Sequence, residues 1–283
     1  MDSWEDIKFG NRVDDDLWHV FHENTKTGRY SEVSSSGAVL RWMNEVSETL
    51  DYPDYPCVSL PKNFQRPTAS LHDAIIGRVS TRELAPTPVD LQTLSGILFY
   101  SCGVTRTNTD DGEYPRPFRT APSGGALYPL EIYVHTGPSD GLSAGLYHYN
   151  PIRHELRLLK SRDCTSLFSR AVVQRELVES ASLVFFITAI FERTTFKYGS
   201  KGYRFVLLEA GHVAQNMVLA CTGYGLGSVN ICGYFDREID AFLQIDGVFH
   251  STVYITAVGE ARRAPLASRQ REASIDSTTA QNP

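Results

Sequence analysis

Ser182 to Ile190 reads SLVFFITAI, nine residues with almost no polar break, and this run constrains the fold more tightly than any other. It is too short to cross a bilayer as a helix, which takes about 20 apolar residues. It suits a strand covered on both faces, because successive strand side chains point to opposite sides of the sheet. Other segments alternate instead. LEIYVHT (130–136) sets Leu130, Ile132 and Val134 against Glu131, Tyr133 and His135, which predicts a half-buried strand. GLYHYNPIRHELRLL predicts a hairpin about Asn150–Pro151, and STVYITAVG a last strand.

Between these strands the apolar period becomes helical. Val206, Ala210, Val213, Met217 and Cys221 fall on one stripe of a helix from Tyr203 to Cys221, closed by GYGLG. Those glycines end a helix rather than open one after a strand, so a dinucleotide-binding turn is rejected. Thr87 as cap, Pro88 at the first helical position and Asp90 in the first turn predict a helix that Gly103 ends. Two more helices are expected over Asp15–Asn24 and Ala38–Leu50, and the four prolines of DYPDYPCVSLPKNFQRPTAS predict an extended connection. Helices interleaved with hairpins favour an α+β fold over a doubly wound parallel sheet. Residues 1–70 are expected to be an N-terminal extension, 71–263 the main domain and 264–283 a disordered tail.

Lys and Arg number 27 against 33 Asp and Glu, a net charge of -6 that argues against nucleic acid or an anionic membrane as partner. The N-terminal stretch has no apolar signal core. Five cysteines (Cys57, Cys102, Cys164, Cys221, Cys232) are scattered without a C-x-x-C pair, and the histidines form no metal pattern. A soluble, cytoplasmic protein without a structural metal is expected. No nucleophile elbow is present either, which argues against a hydrolase.

Four stretches could carry chemistry, and each also has a plain structural reading. Arg78, Ser80 and Arg82 alternate, so in an extended segment they face one way. They could clasp one phosphate through charge-assisted bonds or be a solvated loop. Pro122, Ser123, Gly124 and Gly125 could let backbone approach a flat ligand or simply turn the chain. Arg262 and Arg263 follow the last strand as a second positive source or as the start of a tail. Lys197–Tyr198, just after the buried run, is a surface bend or a proton-transfer pair.

Taken together, the Arg-x-Ser-x-Arg stretch, RTAPSGGALYP, KYGSKGYRFVLLEAGHVAQN and GLGSVNICGYFD resemble the SagB-type dehydrogenases of the nitroreductase superfamily, over Leu71 to Arg263. These are FMN-dependent azoline oxidases of thiazole- and oxazole-containing peptide biosynthesis. The resemblance implies an antiparallel sheet sandwiched by helices, and a homodimer with FMN at the subunit interface. It assigns Arg78, Ser80 and Arg82 to the phosphate and ribityl end, with Arg262 or Arg263 adding phosphate contacts. Pro122 to Gly125 would line the flavin ring, and Cys232 and Gly233 would present backbone near its reactive edge. Lys197 and Tyr198 would be the catalytic bases. Aromatising an azoline removes one carbon-bound proton and one hydride; a flavin accepts the hydride, so a base must take the proton. Adjacent residues on a strand point apart, so a bend at Gly199 is expected to turn both toward the flavin.

The function implied is oxidation of thiazoline or oxazoline rings in a peptide or carrier-bound intermediate, with oxygen as acceptor and a biosynthetic complex as the setting. Two alternatives stand beside it: an NAD(P)H-dependent reductase of nitro or quinone substrates, and a catalytically silent FMN-binding scaffold. Ala126 and Tyr128, where ordinary nitroreductases typically carry an asparagine and a glutamine, speak against the first. The intact Lys197–Tyr198 pair speaks against the second.

Overall fold

SLVFFITAI is apolar throughout because it runs through the middle of a sheet covered on both sides. The computed structural model describes residues 17–29, 35–108, 116–137 and 141–262. In chain order its elements begin α1 (Leu17–Asn24), α2 (Ser36–Glu45), β1 (Cys57–Ser59), α3 (Leu71–Gly77), β2 (Leu84–Ala85) and α4 (Leu91–Cys102). Next come β3 (Val104–Asn108), β4 (Arg116–Arg119), β5 (Leu130–Thr136), β6 (Gly145–Asn150), β7 (Glu155–Lys160), α5 (Thr165–Phe168) and α6 (Glu176–Glu179). The last are β8 (Leu183–Ile190), α7 (Glu192–Tyr198), α8 (Gly202–Gly223), β9 (Gly227–Ile231), α9 (Asp236–Leu243) and β10 (His250–Ala261).

The main sheet runs β1-β7-β6-β5-β8-β10, with β2 and β9 both pairing to β10, and every pairing in it is antiparallel. Strands β3 and β4 make a separate ribbon. The fold is α+β, as expected.

Strand alternation sorts the core onto two faces. Leu130, Ile132 and Val134 of β5, with Leu183, Phe185, Ile187 and Ala189 of β8, pack against α4 and the Val206–Cys221 stripe of α8. Tyr133, Val184, Phe186, Ile255 and Ala257 face the other way, onto Phe168, Leu177, Ile239 and Leu243 of α5, α6 and α9. Each such large side chain, taken fully out of water, contributes roughly 1.5–3 kcal/mol. β5 is therefore buried along its whole length rather than half-buried. On the side that carries Glu131, Tyr133 and His135, the second helical layer packs on Tyr133 and His135, while Thr49, Leu50, His148 and Arg193 enclose Glu131.

Other boundaries also shift. The α4 cap is Asp90, whose carboxylate accepts from the Thr93 amide at 2.7 Å; Thr87 is held instead by Ser182, its amide donating to the hydroxyl at 2.8 Å. Asp90 wins because its side chain sits one residue before the first helical position, where it can reach the free amides. Gly103 ends the helix as expected, and α2 stops at Glu45 rather than Leu50. The stretch Glu192–Gly223 is long and apolar enough to cross a membrane by length and composition, but half of its apolar window is buried inside this fold, as suits a core helix. Arg263 and the 264–283 tail lie outside the described residues.

Candidate active site

The turn between β4 and β5 is unusual in its backbone. Gly125, Ala126 and Tyr128 have φ of 70°, 54° and 44°, all in the left-handed region. For the two non-glycine residues this costs of order 1–3 kcal/mol each, so the surroundings must impose it. Ser123 supplies part of the restraint: its carbonyl accepts from the Ala126 amide at 3.1 Å and its hydroxyl from the Tyr128 amide at 2.9 Å. Arg119 supplies more. Its amide donates to the Tyr128 hydroxyl at 3.0 Å, and its guanidinium lies 4.7 Å from the centre of the same ring. Arg116 reaches the Ala126 carbonyl at 3.3 Å and the Met43 carbonyl at 3.1 Å.

Lys197 and Tyr198 meet this turn. A β-carbon built at Gly125 would fall 2.7 Å from Tyr198 Oη and 2.9 Å from Lys197 Nζ, so both side-chain ends sit over the bare backbone of this glycine and a larger residue would displace them. The two groups also lie near one another, with Lys197 Nζ 5.3 Å from the Tyr198 ring centre. Phe205 backs them, edge-on to Tyr198 at 4.9 Å and in van der Waals range of Gly124. The pair does not sit in a bend after a strand. It forms the last turn of α7, a helix that Gly199 (φ 56°) ends. Successive helical residues lie about 100° apart around the axis, close enough for two long side chains to converge on one point.

A buried ion cluster fixes α7. Arg193 Nη1 lies 2.6 Å from Glu131 Oε1, and His148 Nε2 lies 2.6 Å from Glu131 Oε2. Burial works to raise the Glu131 carboxyl, but Arg193 and His148 outweigh it and hold the group down at about 2. The same carboxylate accepts from the Thr49 hydroxyl at 3.0 Å and the Leu50 amide at 2.9 Å. Trp42 of α2 stacks on Phe196 at 5.5 Å between ring centres, and Arg119 reaches the Glu48 carbonyl at 2.8 Å. Residues 42–50 are thus tied both to α7 and to the turn that faces it.

The basic stretch lies elsewhere along the sheet. Thr81 is buried while Ser80 and Arg82 are exposed, the alternation expected of an extended segment. This segment runs beside the start of β9, through a parallel bridge between Ser80 and Ser228. The chain end of β10 joins it: Glu260 and Ala261 pair with Ala85 and Leu84, and the Arg262 amide donates to the Glu83 carbonyl at 3.0 Å. Strand pairing therefore sets Arg262 opposite Glu83, the residue after Arg82. Cys232 and Gly233 leave the other end of β9, both exposed, and their described partners are Tyr254 and Val173 rather than Lys197 or Tyr198. An anionic group fits the donor set of Arg78, Ser80, Arg82 and Arg262. A flat one fits the bare Gly124–Gly125 backbone.

Several residues that shape the site carried no motif. Glu131 stands on the polar side of an alternating strand, and Glu209 stands beside the apolar stripe of α8. An acid at such a position is the available signal, since carboxylates are rarely buried unless paired. Arg116, Arg119 and Arg193 could not be separated from ordinary surface cations without knowing what lies across from them.

With this geometry in hand, comparison with known proteins is decisive for the family. The sequence model of the nitroreductase family matches residues 75–260, well over half of the chain. The chain belongs to the nitroreductase family. Members of this family are typically flavin oxidoreductases. The nitroreductase homologue MJ1384 of Methanocaldococcus jannaschii is 41% identical over 175 residues, covering 62% of this chain and 84% of that protein. The microcin B17-processing protein McbC of Escherichia coli is 32% identical over 145 residues, 50% of this chain and 52% of McbC. The trifolitoxin-processing protein TfxB of Rhizobium leguminosarum is 30% identical over 181 residues, 60% of this chain and 48% of TfxB. The chain thus spans about half the length of McbC and TfxB. Among solved structures, a nitroreductase-type protein from Anabaena variabilis matches with a TM-score of 0.70 at 24% identity, covering 87% of this chain and 46% of that one. A chain of the E. coli microcin synthetase McbBCD complex, with truncated pro-MccB17 bound, matches with a TM-score of 0.56 at 23% identity, covering 87% and 92%. These structural likenesses establish the nitroreductase-like α+β fold.

Proposed function

We propose that this nitroreductase family member is a SagB-type, FMN-dependent dehydrogenase that oxidises thiazoline or oxazoline rings in a peptide or carrier-bound intermediate. The observation that carries the reading is the approach of Lys197 Nζ and Tyr198 Oη to one glycine in the strained turn. Azoline oxidation needs a base near the acceptor, and reduction of a nitro group does not need a base that removes a carbon-bound proton. Similarity to the microcin B17- and trifolitoxin-processing proteins supports the same direction.

In this reading Arg78, Ser80, Arg82 and Arg262, with Arg263 following in sequence, hold the phosphate of FMN. Pro122 to Gly125 line the ring, and Cys232 and Gly233 lie at its edge. Bound FMN supplies a two-electron acceptor, with N5 as the hydride position and oxygen as the final acceptor. The chain itself supplies proton removal: Lys197 takes the proton from the azoline carbon, and Tyr198 shares or relays it. The working unit is a homodimer with FMN between subunits, assembled with biosynthetic partners. The dimer face is the outer side of α8 and α3, where Tyr203, Leu207, Leu208, Leu71, Ile75 and Ile76 are exposed. Of the small residues Ala210, Gly211 and Ala214 on α8, the exposed Gly211 allows close approach, whereas Ala210 and Ala214 are buried in the subunit's own core.

The test is turnover of a synthetic thiazoline peptide by purified, FMN-loaded protein, read as loss of two mass units per ring. Product formed with wild type and lost with Lys197→Ala supports the reading. The 41% identity to MJ1384 favours a nitro or quinone reductase as second reading. Oxidation of NADH or NADPH by a nitroaromatic or quinone, with no thiazoline turnover, would decide for it.

A further inference from the structure

We propose that the groove along Lys62–Arg66 docks an acidic, apolar-centred segment of the peptide that carries the azoline, away from the Lys197–Tyr198 site itself. That this peptide is the substrate rests on the proposed function; the charge and shape of the groove do not.

The groove lies between the chain that precedes α3 and the Phe99–Tyr100 end of α4. Two cavities of about 640 and 270 Å³ adjoin there, and both are lined by Lys62, Phe64 and Phe99. The larger extends to Arg66 and Tyr100, the smaller to the hairpin tip at Ile152. Its wall is fixed at two points. The Pro61 carbonyl accepts from the Ser95 hydroxyl of α4 at 2.7 Å, and the Gln65 carbonyl accepts from the Tyr224 hydroxyl at 2.7 Å. Between these ties Phe64 packs on Phe99 and Tyr100, with ring centres 5.3 and 5.6 Å apart. Rings held in this way offer contact area with little conformational entropy left to lose.

The charge of the groove names its occupant. Lys62 and Arg66 are exposed, and neither side chain makes an ion pair or hydrogen bond among the described residues. No acid lines either cavity, although the chain as a whole carries a net charge of -6. The two cations stand on either side of Phe64 in sequence, four residues and at most about 13 Å apart. Cations so spaced suit an extended chain better than one compact anion. A peptide with carboxylates about four residues apart and an apolar side chain between them meets both charges and the rings together, while a basic peptide is repelled. The groove also neighbours the strained turn. Thr120 Oγ1 donates to the Phe99 carbonyl at 3.3 Å, and Gly125 follows Thr120 by five residues, which span at most about 18 Å. About six residues of extended peptide therefore bridge Gly125 and the groove.

Fluorescence anisotropy on the full-length protein tests the groove with two labelled peptides. One carries glutamates four positions apart about a phenylalanine, and the other has lysines in their place. At low salt the glutamate peptide should bind about 10-fold more tightly, and Lys62→Glu combined with Arg66→Glu should reverse the preference. Both residues are exposed, so the double variant should unfold in urea as wild type does. Equal binding of the two peptides, binding of neither, or a glutamate preference that survives the double variant overturns the inference. Glutamate-peptide binding that tightens markedly on removal of the acidic stretch 1–16 would assign the groove to that stretch and also overturn it. Turnover gives a second reading. A thiazoline peptide with the glutamate segment about six residues from its ring should show a several-fold lower KM than one with the lysine segment, at equal kcat, and the difference should vanish or reverse in the double variant. The same KM with either segment overturns the docking role. The anisotropy needs no turnover, so glutamate-selective binding without thiazoline oxidation counts against the proposed function while supporting the groove as an acidic-peptide site.

Discussion

In the proposed reading Lys197 and Tyr198, which meet at Gly125, act in proton transfer, while Arg78, Ser80 and Arg82 hold the phosphate of the cofactor. Lys197→Ala and Tyr198→Phe should keep the flavin and fold yet lose oxidation by roughly 10²–10⁴-fold each, the usual contribution of general base catalysis. The double variant should lose less than the sum if the two act as one proton-transfer unit. Flavin absorbance and thiazoline turnover on the same preparations check both points; loss of flavin in either variant would make the pair structural. The buried glutamates make a second residue-scale test, with opposite signs. Glu131 is held at about 2 in the folded chain, so its stabilisation is complete above about 4.5 and is lost as pH falls from there toward 2. Glu209 is raised from 4.5 to about 7, so the unfolded chain releases that proton first and stability falls as pH rises through this window. Glu209→Gln removes that penalty. Relative to wild type it should gain up to about 3 kcal/mol between pH 5 and pH 8, measured by urea unfolding. A constant difference across that range would contradict the assigned shift.

At the scale of elements, α7 is short and would have little stability alone. Its position comes from the Arg193–Glu131 pair at one end and from Trp42 stacked on Phe196 along its side, the two rings inclined by 13°. The first of these is buried, so breaking it would leave an uncompensated charge and threaten the fold. The second is half exposed and can be removed more safely. Trp42→Ala combined with Arg116→Leu cuts the α2 contacts to both α7 and the Ala126 carbonyl. Thermal stability should change little, while turnover falls by up to about 10²-fold, as small misplacements of catalytic groups can cause. Turnover equal to wild type would show that α2 has no part in aligning the site.

At the scale of the whole molecule, exposed Leu207 and Leu208 on α8 and Ile75 and Ile76 on α3 leave an apolar face on the subunit. Leu208→Glu should convert a dimer to a monomer and lower the retained FMN, both read by light scattering with in-line absorbance. A wild-type monomer that retains its flavin would contradict the proposed assembly. Replacing Arg78 and Arg82 together by alanine should give a colourless protein of unchanged dimer size, because two charge-assisted phosphate bonds are lost. Retention of one FMN per subunit would move the phosphate site away from this edge.

Much of this architecture was legible in local pattern. The period-2 and 3.6 repeats placed β5 to β8, the Asn150–Pro151 hairpin, α8 and its closing glycines, since each depends on residues close in sequence. The same pattern drew attention to Lys197–Tyr198 and the PSGG turn. Local pattern could not say that β5 is buried on both faces, because its polar side is covered by chain far away in sequence: Thr49, Leu50 and Arg193 around Glu131, Tyr52 at Tyr133 and Phe168 of α5 at His135. Nor could it place Lys197 and Tyr198 on a helix, since α7 is held by Glu131, 62 residues away. Thr49, Glu131, His148 and Arg193 look unrelated in sequence and become one cluster only when sheet register and chain crossing bring them together. The residue types were set by the sequence, while their partners and protonation were decided by burial in the tertiary fold, where a charge without water must find an opposite one.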